Sequence, residues 1–280
     1  MQSLTKVGTL ARRYFIDHQK RVRKFLILVP IHRPPNLLKF AIDSILYQTE
    51  KDYEIHIISD GAPEETTREI LSLARRHRQI SAHIFTKGKR NGEAYRDSII
   101  RDSSASFVCQ IADDDIWFPN HLSQIGRLLQ TYDFGHTIQT EAAPGGMLRP
   151  LLGDISDPDT ARKMINERFN IFGPTASGYR KDAYLKLKDG WTGAPPDVWS
   201  DLHMWRKFLS HGDIKCGSRF SFTNIHIAAP YHKGMSIHER EVVGKEWWVH
   251  ASNPASLDDL IQGLTKHACI STDNDWWKME

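Results

Sequence analysis

The chain contains few cysteines, and they are far apart. Cys109, Cys216 and Cys269 are the only three in 280 residues, and no CxxC occurs. This number and spacing exclude a disulfide scaffold and a cysteine-based zinc site. Three unpaired thiols suit a reducing compartment, so we expect a cytoplasmic protein.

Long apolar runs are absent as well. The longest run near the N-terminus, residues 25–31, is far shorter than the roughly 20 residues that span a bilayer. No charged region, apolar region and cleavage site occur in the order of a secretory signal, so we expect no signal peptide. Internal repeats and low-complexity tracts are also missing, which leaves an ordinary globular chain.

Neither sign of charge dominates, with 37 Lys and Arg against 34 Asp and Glu. A nucleic-acid binder more often has a strong basic excess, so we expect no nucleic-acid partner. Basic residues do concentrate in residues 1–24, where we expect a short helix in a solvated lead-in. The alternative is peripheral contact with anionic lipid at the inner face of a membrane.

The first half alternates strand-like and helix-like segments. Strands are predicted at 25–30, 53–59, 81–85 and 107–111, and helices at 36–47, 64–78, 92–102 and 120–130. This alternation predicts an α/β fold with a Rossmann-like, mostly parallel central sheet flanked by helices. Such sheets bind ligands at the carboxyl ends of their strands.

The second half is less regular. Residues 140–160 are rich in Pro, Gly and Asp and predict a loop. A strand is expected within 169–179, a helix at 199–210 and a strand at 221–228. Four tryptophans follow Lys245 and characterise the last part of the chain.

Three consecutive aspartates, Asp113–Asp115, lie between the fourth predicted strand and an aromatic turn. Like charges side by side repel each other, so stability alone does not explain them. Oxygen clusters of this kind suit Mg²⁺ or Mn²⁺, which commonly accompany phosphates. A helix N-cap is the alternative, but a cap needs one acid rather than three.

Five segments, taken in order, resemble glycosyltransferase family 2, whose members have the GT-A fold. They are residues 28–33, 41–49, 54–61, 91–97 and 111–122, and shorter matches follow at 190–191 and 199–206. The resemblance implies inverting transfer of a sugar from a nucleotide diphosphate to a hydroxyl acceptor. It also implies a role in bacterial surface polysaccharide or glycoconjugate synthesis.

The resemblance assigns roles to the aspartates. Asp114 would hold Mn²⁺ or Mg²⁺ on the diphosphate, Asp113 would bond the ribose, and Asp115 would orient neighbours or reach the sugar. Ala112 stands where the family pattern usually begins with an acid. His232 would be a second metal or diphosphate contact, with His238 as the alternative.

The remaining donor-site residues also follow from the resemblance. Pro30, His32 and Arg33 would line the base and ribose pocket, and Arg96 would face the nucleotide. Asp60 would read the base edge. Its carboxylate can accept from the ring N–H of uracil, thymine or guanine, which favours UDP, dTDP or GDP donors.

On the acceptor side, Asp201 is the candidate general base, since a carboxylate can take the proton of the attacking hydroxyl. Ser200 replaces the glutamate that the family usually has beside it. Asp197 is the fallback, and a helix N-cap is the structural alternative. Trp191 and Trp199 would flank the acceptor, a glycan or a lipid-linked sugar.

These assignments divide the chain into four parts. They are a basic lead-in (1–24), a nucleotide-sugar-binding half (25–130), an acceptor and catalytic-base half (131–245) and a Trp-rich tail (246–280). Two rival functions remain. A nucleotidyltransferase would need a Gly-rich phosphate loop after the first strand, where this chain has Pro-Ile-His-Arg-Pro-Pro. A non-catalytic nucleotide or sugar binder of the same fold is favoured by Ala112 and Ser200.

Overall fold

The computed structural model describes residues 12–16, 22–227, 230–232 and 234–270. The strands are β1 (Arg12–Ile16), β2 (Phe25–Ile31), β3 (Tyr53–Asp60), β4 (Ile80–Phe85), β5 (Phe107–Gln110), β6 (Ile116–Trp117), β7 (Phe134–Ala143), β8 (Met147–Leu151), β9 (Ser177–Arg180), β10 (Cys216–Phe222) and β11 (Asn224–Ile225). The α-helices are α1 (Leu38–Leu46), α2 (Glu64–Arg76), α3 (Glu93–Asp102), α4 (His121–Leu128), α5 (Pro158–Asn166), α6 (Lys181–Lys186), α7 (Ser200–Leu209), α8 (Ile237–Ser252) and α9 (Pro254–Ile270). Short 3-10 turns occur at Pro174–Ala176 and Pro230–His232.

The central sheet has nine strands among the described residues, and their main order is β1-β4-β3-β2-β5-β9-β7-β10, with β8 paired to β7. The four inner strands β4, β3, β2 and β5 are parallel, and β7 and β10 form another parallel pair. Antiparallel neighbours lie outside the inner strands. The predicted α/β fold, with helices around a mostly parallel sheet, is confirmed.

The order of the inner strands creates one crevice. From β2 the chain adds β3 and then β4 on one side, and β5 on the other. The direction of winding therefore reverses between β2 and β5, and ligands bind beyond the carboxyl ends of the strands at such a point. Residues 32–33 follow β2 there, and the aspartates follow β5.

Two layers of helices cover the sheet. On one face β2 and β3 bury Ile27 and Ile55 in the same cluster as residues of α1, α2 and α4. On the other face Leu26 and Leu28 share a cluster with residues of α3, α6 and α7. Burying each such side chain contributes about 1.5–3 kcal/mol, so the strand ends have a rigid base.

The prediction of a loop at residues 140–160 is wrong. It contains the end of β7, the paired strand β8 and the start of α5. Gly145 and Gly146 have φ of 76° and 72° and make the turn between β7 and β8. The glycines that indicated a loop therefore form a β-hairpin turn. Asp157 caps α5 by accepting from Thr160 N.

The two ends of the described chain also differ from expectation. Residues 12–16 form β1, antiparallel to β4, where a short helix was expected. The boundary predicted at residue 245 falls inside α8, and Trp247 is buried in a cluster with residues of α1 and α9. Trp276 and Trp277 lie outside the described residues. No helix in the described ranges is long and apolar enough to cross a membrane.

Candidate active site

Arg33 joins the ends of β2 and β5. Its Nη2 donates to Asp113 Oδ1 at 3.0 Å, and its Nη1 donates to Asp114 Oδ2 at 3.0 Å. The Nε lies 2.9 Å from Asp113 Oδ2. Because both loops leave neighbouring parallel strands, the predicted donor residues Arg33, Asp113 and Asp114 meet in one crevice.

Asp114 is paired with a second cation from far along the chain. Arg240, on α8, donates from Nη2 to the same Asp114 Oδ2 at 3.1 Å. Asp114 Oδ1 is buried and has no hydrogen-bond partner among the described residues. One oxygen of this carboxylate therefore has two guanidinium contacts, and the other has none among those residues.

Asp115 is buried in a cage of hydrogen bonds. Thr175 Oγ1 donates to it, the amide of Ile227 donates at 3.0 Å, and His226 Nδ1 lies 3.0 Å from Oδ2. It caps no helix, since the N-cap residue of α4 is Asn120. Asp115 therefore joins three segments that are distant in sequence.

Burial and mutual repulsion govern the titration of the triplet. Burial, followed by the charge of Asp114, raises the pKa of Asp113. Burial and Asp115 raise the pKa of Asp114. Burial also opposes charge on Asp115, but His226 and the hydrogen bonds from Thr175 and Ile227 outweigh it and lower its pKa. Asp115 is thus the member whose charge the fold stabilises best.

Asp60 lies at the end of β3 with both oxygens occupied. Lys87 donates to Oδ2, and the amide of Gly88 donates to Oδ1 at 2.6 Å. Gly92 packs so closely that an added Cβ would lie 2.9 Å from Asp60 Cγ. The base-reading role of Asp60 stays a prediction, and it would require Lys87 to move or to share the contact.

Beside the aspartates is a cavity of about 600 Å³. Its polar lining includes Asn91, Arg96, Gln139, Glu141, Asp201 and His226. Amides, carboxylates and cations that line one cavity can bind a molecule with many hydroxyls.

Asp201 faces this cavity from the first turn of α7. Its Oδ2 accepts from Asn170 Nδ2 at 3.0 Å, and burial raises its pKa. The N-cap residue of α7 is Trp199, which makes no side-chain cap, and Asp201 Oδ1 accepts from Leu202 N at 2.8 Å in the first turn. Asp201 is therefore not the N-cap residue, although its carboxylate bonds a first-turn amide. A buried carboxylate with a raised pKa is a stronger base than an exposed one.

Arg96 and the two predicted acceptor tryptophans line the same cavity. Arg96 is buried and stacks over the Trp191 ring at 4.2 Å. Trp191 is only 1% exposed, whereas Trp199 is 42% exposed and faces Arg168. Of the two rings, Trp199 is the one with a face open to an acceptor.

The other predicted residues surround this core. Pro30 is at the end of β2, and His32 is exposed beside Arg33. His232 is buried in the 3-10 turn before α8, and its Nδ1 has no partner among the described residues. Asp197 lines the cavity, and His238 is exposed in the first turn of α8.

A model of glycosyl transferase family 2 matches residues 26–187, more than half of the chain. This chain belongs to glycosyltransferase family 2. The matched range begins at the second residue of β2 and includes β3 to β5 and the aspartate triplet, so the resemblance of the first half is confirmed.

Known relatives of this family-2 chain are similar over shorter stretches. The succinoglycan biosynthesis protein ExoW of Rhizobium meliloti is 27% identical over 114 residues, which is 39% of this chain and 35% of that protein. The Escherichia coli protein WfgD is 24% identical over 105 residues, 37% of this chain and 40% of WfgD. WfgD is named as a UDP-Glc:alpha-D-GlcNAc-diphosphoundecaprenol beta-1,3-glucosyltransferase. The matches span between 17% and 40% of the curated relatives.

Solved structures give the family-2 chain its fold class. The mannosyltransferase PcManGT of Pyrobaculum calidifontis, in complex with GDP-Man and Mn²⁺, aligns with a TM-score of 0.54 at 14% identity, covering 96% of this chain and 80% of PcManGT. TarS 1–349 of S. aureus, in complex with UDP-GlcNAc, aligns with a TM-score of 0.52 at 12% identity, covering 92% of this chain and 76% of TarS 1–349. The fold is GT-A.

Four side chains of the family-2 site were not predicted from the sequence. Glu141 comes from a segment expected to be a loop, and Thr175 from a 3-10 turn in the segment where a strand was expected. His226 and Arg240 follow motifs that match the family only weakly. One pattern in the sequence could have indicated His226. It lies near the end of the strand predicted at 221–228, and ligands bind at the carboxyl ends of strands in such sheets.

Proposed function

We propose that this chain transfers a sugar from a UDP, dTDP or GDP donor to a hydroxyl acceptor by inverting displacement. One observation carries the proposal. The buried aspartates at the β2–β5 crevice, with Arg33 and Arg240, adjoin a polar cavity in which Asp201 is the candidate base. A diphosphate site beside a hydroxyl-binding cavity is the arrangement that such a transfer requires.

The reaction would exchange one bond at the anomeric carbon. The acceptor oxygen bonds to this carbon while the bond to the diphosphate oxygen breaks on the opposite side. Asp201 takes the hydroxyl proton, and the diphosphate leaves with the electron pair of the broken bond. Arg33 and Arg240 would stabilise the charge that grows on this leaving group.

The residues around Asp114 suit a cation that is shared with the substrate. Asp114 Oδ1 and His232 Nδ1 are buried and unpartnered among the described residues. No group of three or more His, Cys, Asp or Glu in those residues could hold a metal, so phosphate oxygens would complete the ligand set. Asp114 and His232 would hold Mn²⁺ or Mg²⁺, whose charge stabilises a departing diphosphate.

The names of the relatives support the substrate class. ExoW is named for succinoglycan biosynthesis, and WfgD for transfer to a diphosphoundecaprenol-linked sugar. We infer a role in bacterial surface polysaccharide or glycoconjugate synthesis, with a glycan or lipid-linked sugar as acceptor. The cavity beside the donor site, bordered by the open face of Trp199, has room for such a group.

The experiment compares donor turnover in the unaltered chain with that in Asp201→Asn and Asp197→Asn. UDP-, dTDP- and GDP-sugars are tested with Mn²⁺ and a panel of hydroxyl acceptors. Asp201→Asn should lower turnover by about 10²- to 10⁴-fold, the usual contribution of a general base. Donor affinity should persist, because asparagine can still accept from Asn170.

Two outcomes would contradict the proposal or part of it. Nucleotide binding without turnover on any donor and acceptor would favour the non-catalytic binder. Loss of turnover in Asp197→Asn, with Asp201→Asn fully active, would transfer the base role to Asp197. Thermal-shift measurements with each nucleotide provide the binding readout, since a ligand stabilises the folded state.

A further inference from the structure

Glu141 and His226 face the same cavity from neighbouring segments. They form a parallel β-bridge beyond the end of β11, in which His226 N donates to Thr140 O at 2.7 Å and Ala142 N donates to His226 O at 3.0 Å. Paired residues of neighbouring strands project to the same side of a sheet. Both side chains accordingly line the 600 Å³ cavity.

One nitrogen of His226 is held, and the other is left for a ligand. Nδ1 bonds to Asp115, whereas Nε2 has no hydrogen-bond partner among the described residues, and the side chain is 24% exposed. Burial lowers the pKa of His226, but Asp115 and then Glu141 outweigh it and raise the pKa to about 9. Near pH 7 the ring therefore has a proton on Nε2 to donate.

Glu141 supplies the complementary acceptor. It is buried, and burial is the main cause that raises its pKa. A carboxylate that accepts and an imidazolium that donates, side by side, match a hydroxyl group, which can do both. Neither residue belongs to the family motifs in the first half of the chain.

We propose that Glu141 and His226 together bind one hydroxyl of the transferred sugar and thereby select the donor. His226 is bonded to Asp115, which directly follows Asp114, so this pair lies next to the diphosphate end of the site. The ribose on the other phosphate is assigned to Asp113, so the transferred sugar is the hydroxyl-bearing group left for this pair. The proposal rests on the proposed function.

The test separates sugar binding from nucleotide binding by calorimetric titration of the full chain with Mn²⁺. UDP-glucose, UDP-N-acetylglucosamine, dTDP-glucose and GDP-mannose are each titrated beside the free nucleoside diphosphate. Glu141→Gln and His226→Gln should each lower the affinity for the preferred sugar nucleotide by about 10- to 100-fold, as expected for the loss of hydrogen bonds to charged groups. Affinity for the free diphosphate should stay within about twofold.

Further variants and a deoxy donor sharpen the result. The double variant should lose little more affinity for the sugar nucleotide than either single variant, because both residues bind the same hydroxyl. A donor that lacks this hydroxyl should bind the unaltered chain and both variants equally. Glu65→Gln, at an exposed position of α2, is the matched control and should change neither affinity. Glu141→Gln removes a charge that burial disfavours, at the loss of its attraction to His226, and it leaves the bonds of Asp115 in place, so it should fold even if His226→Gln does not.

Three results would overturn the proposal. They are unchanged affinities in both variants, equal loss for the sugar nucleotide and the free diphosphate, and independent, additive losses in the double variant. Equal loss would mean that His226 acts only by holding Asp115. Failure of the unaltered chain to bind any nucleotide would instead contradict the proposed function, and this proposal with it.

Discussion

Three identical side chains in a row have three different environments. Asp113 contacts Arg33, Asp114 contacts Arg33 and Arg240, and Asp115 accepts from a hydroxyl, an imidazole and a backbone amide. Their spacing along the chain gives no hint of this difference. The neighbours suit Asp113 and Asp114 to ligand binding, and they suit Asp115 to holding the site together.

Asparagine at position 115 should destabilise the fold more than asparagine at position 113. Asp115→Asn breaks a buried charge pair and leaves donors unmatched, which should cost about 2–3 kcal/mol of unfolding free energy. Asp113→Asn removes a charge that burial and Asp114 disfavour, so stability should be unchanged or higher. Urea unfolding in EDTA, followed by circular dichroism, measures both.

The nucleotide affinity of the two variants adds a second comparison. Asp113→Asn should bind UDP or GDP more weakly than the unaltered chain, because the role proposed for Asp113 is contact with the ribose. Equal losses of stability in the two variants would contradict the structural role of Asp115.

At the scale of elements, the loop between β4 and α3 links the two halves of the site. Asn91 Nδ2 donates to Ser200 Oγ at 2.9 Å, and Ser200 Oγ donates to Glu93 Oε1 at 2.6 Å. The serine that replaces a family acid therefore connects the start of α3 with the start of α7. These two hydrogen bonds fix the first turn of α7, which carries the candidate base Asp201, against the loop between β4 and α3.

Alanine at Gly92 should weaken both folding and donor binding. Gly92 has φ of 65°, and a Cβ there would lie 2.9 Å from Asp60 Cγ and 3.1 Å from Tyr95 Cδ2. The left-handed backbone alone costs about 1–2 kcal/mol, and the contact with Asp60 should add to it. Thermal unfolding and nucleotide titration measure the two effects.

Gly145 provides the matched control for this substitution. Its φ is 76°, but no atom lies within 4 Å of an added Cβ. Gly145→Ala should therefore lose only the stability that the left-handed backbone costs, and its nucleotide affinity should be unchanged. If both variants bind nucleotide equally well, the close packing of Gly92 on Asp60 has no part in the donor site.

At the scale of the whole molecule, two histidines are buried in the neutral form. His121 Nδ1 lies 2.8 Å from Thr223 Oγ1, and His136 donates from Nδ1 to Thr137 O at 2.8 Å. Burial lowers the pKa of His121 to about 3 and that of His136 to about 4. Unfolding restores the ordinary value of about 6.5, so protonation favours the unfolded chain.

The stability that these two histidines contribute should therefore fall as the pH drops below about 6.5, whereas buried carboxylates with a raised pKa, such as Asp113, act in the opposite direction. Each histidine contributes a slope of up to about 1.4 kcal/mol per pH unit, continuing to about pH 4 for His136 and pH 3 for His121. His136→Gln should be less stable at pH 7.5 but lose less on acidification. Urea unfolding from pH 7.5 to 4 tests this.

The exposed His238 provides the control for the pH series. His238→Gln should reproduce the slope of the unaltered chain, because its surroundings change little on unfolding. A slope that His136→Gln leaves unchanged would show that the acid lability has another origin.

The sequence by itself determined the fold class and the donor end of the site. The inner strands are rich in buried apolar residues, Asp60 is the last residue of β3, and Arg33 and Asp113–Asp115 lie two to five residues beyond the ends of β2 and β5. When strand and polar residues are adjacent in the chain, a local pattern is enough, since parallel strands bring their carboxyl ends together.

Only the tertiary structure decided the rest. The partners of the aspartates, Thr175, His226 and Arg240, lie at least 60 residues further along the chain. Thr175 reaches the crevice from the 3-10 turn before β9, His226 from the residue after β11, and Arg240 from α8. Glu141 meets His226 through a bridge between distant segments. Such contacts depend on how segments pack, and residue order alone does not specify the packing of distant segments.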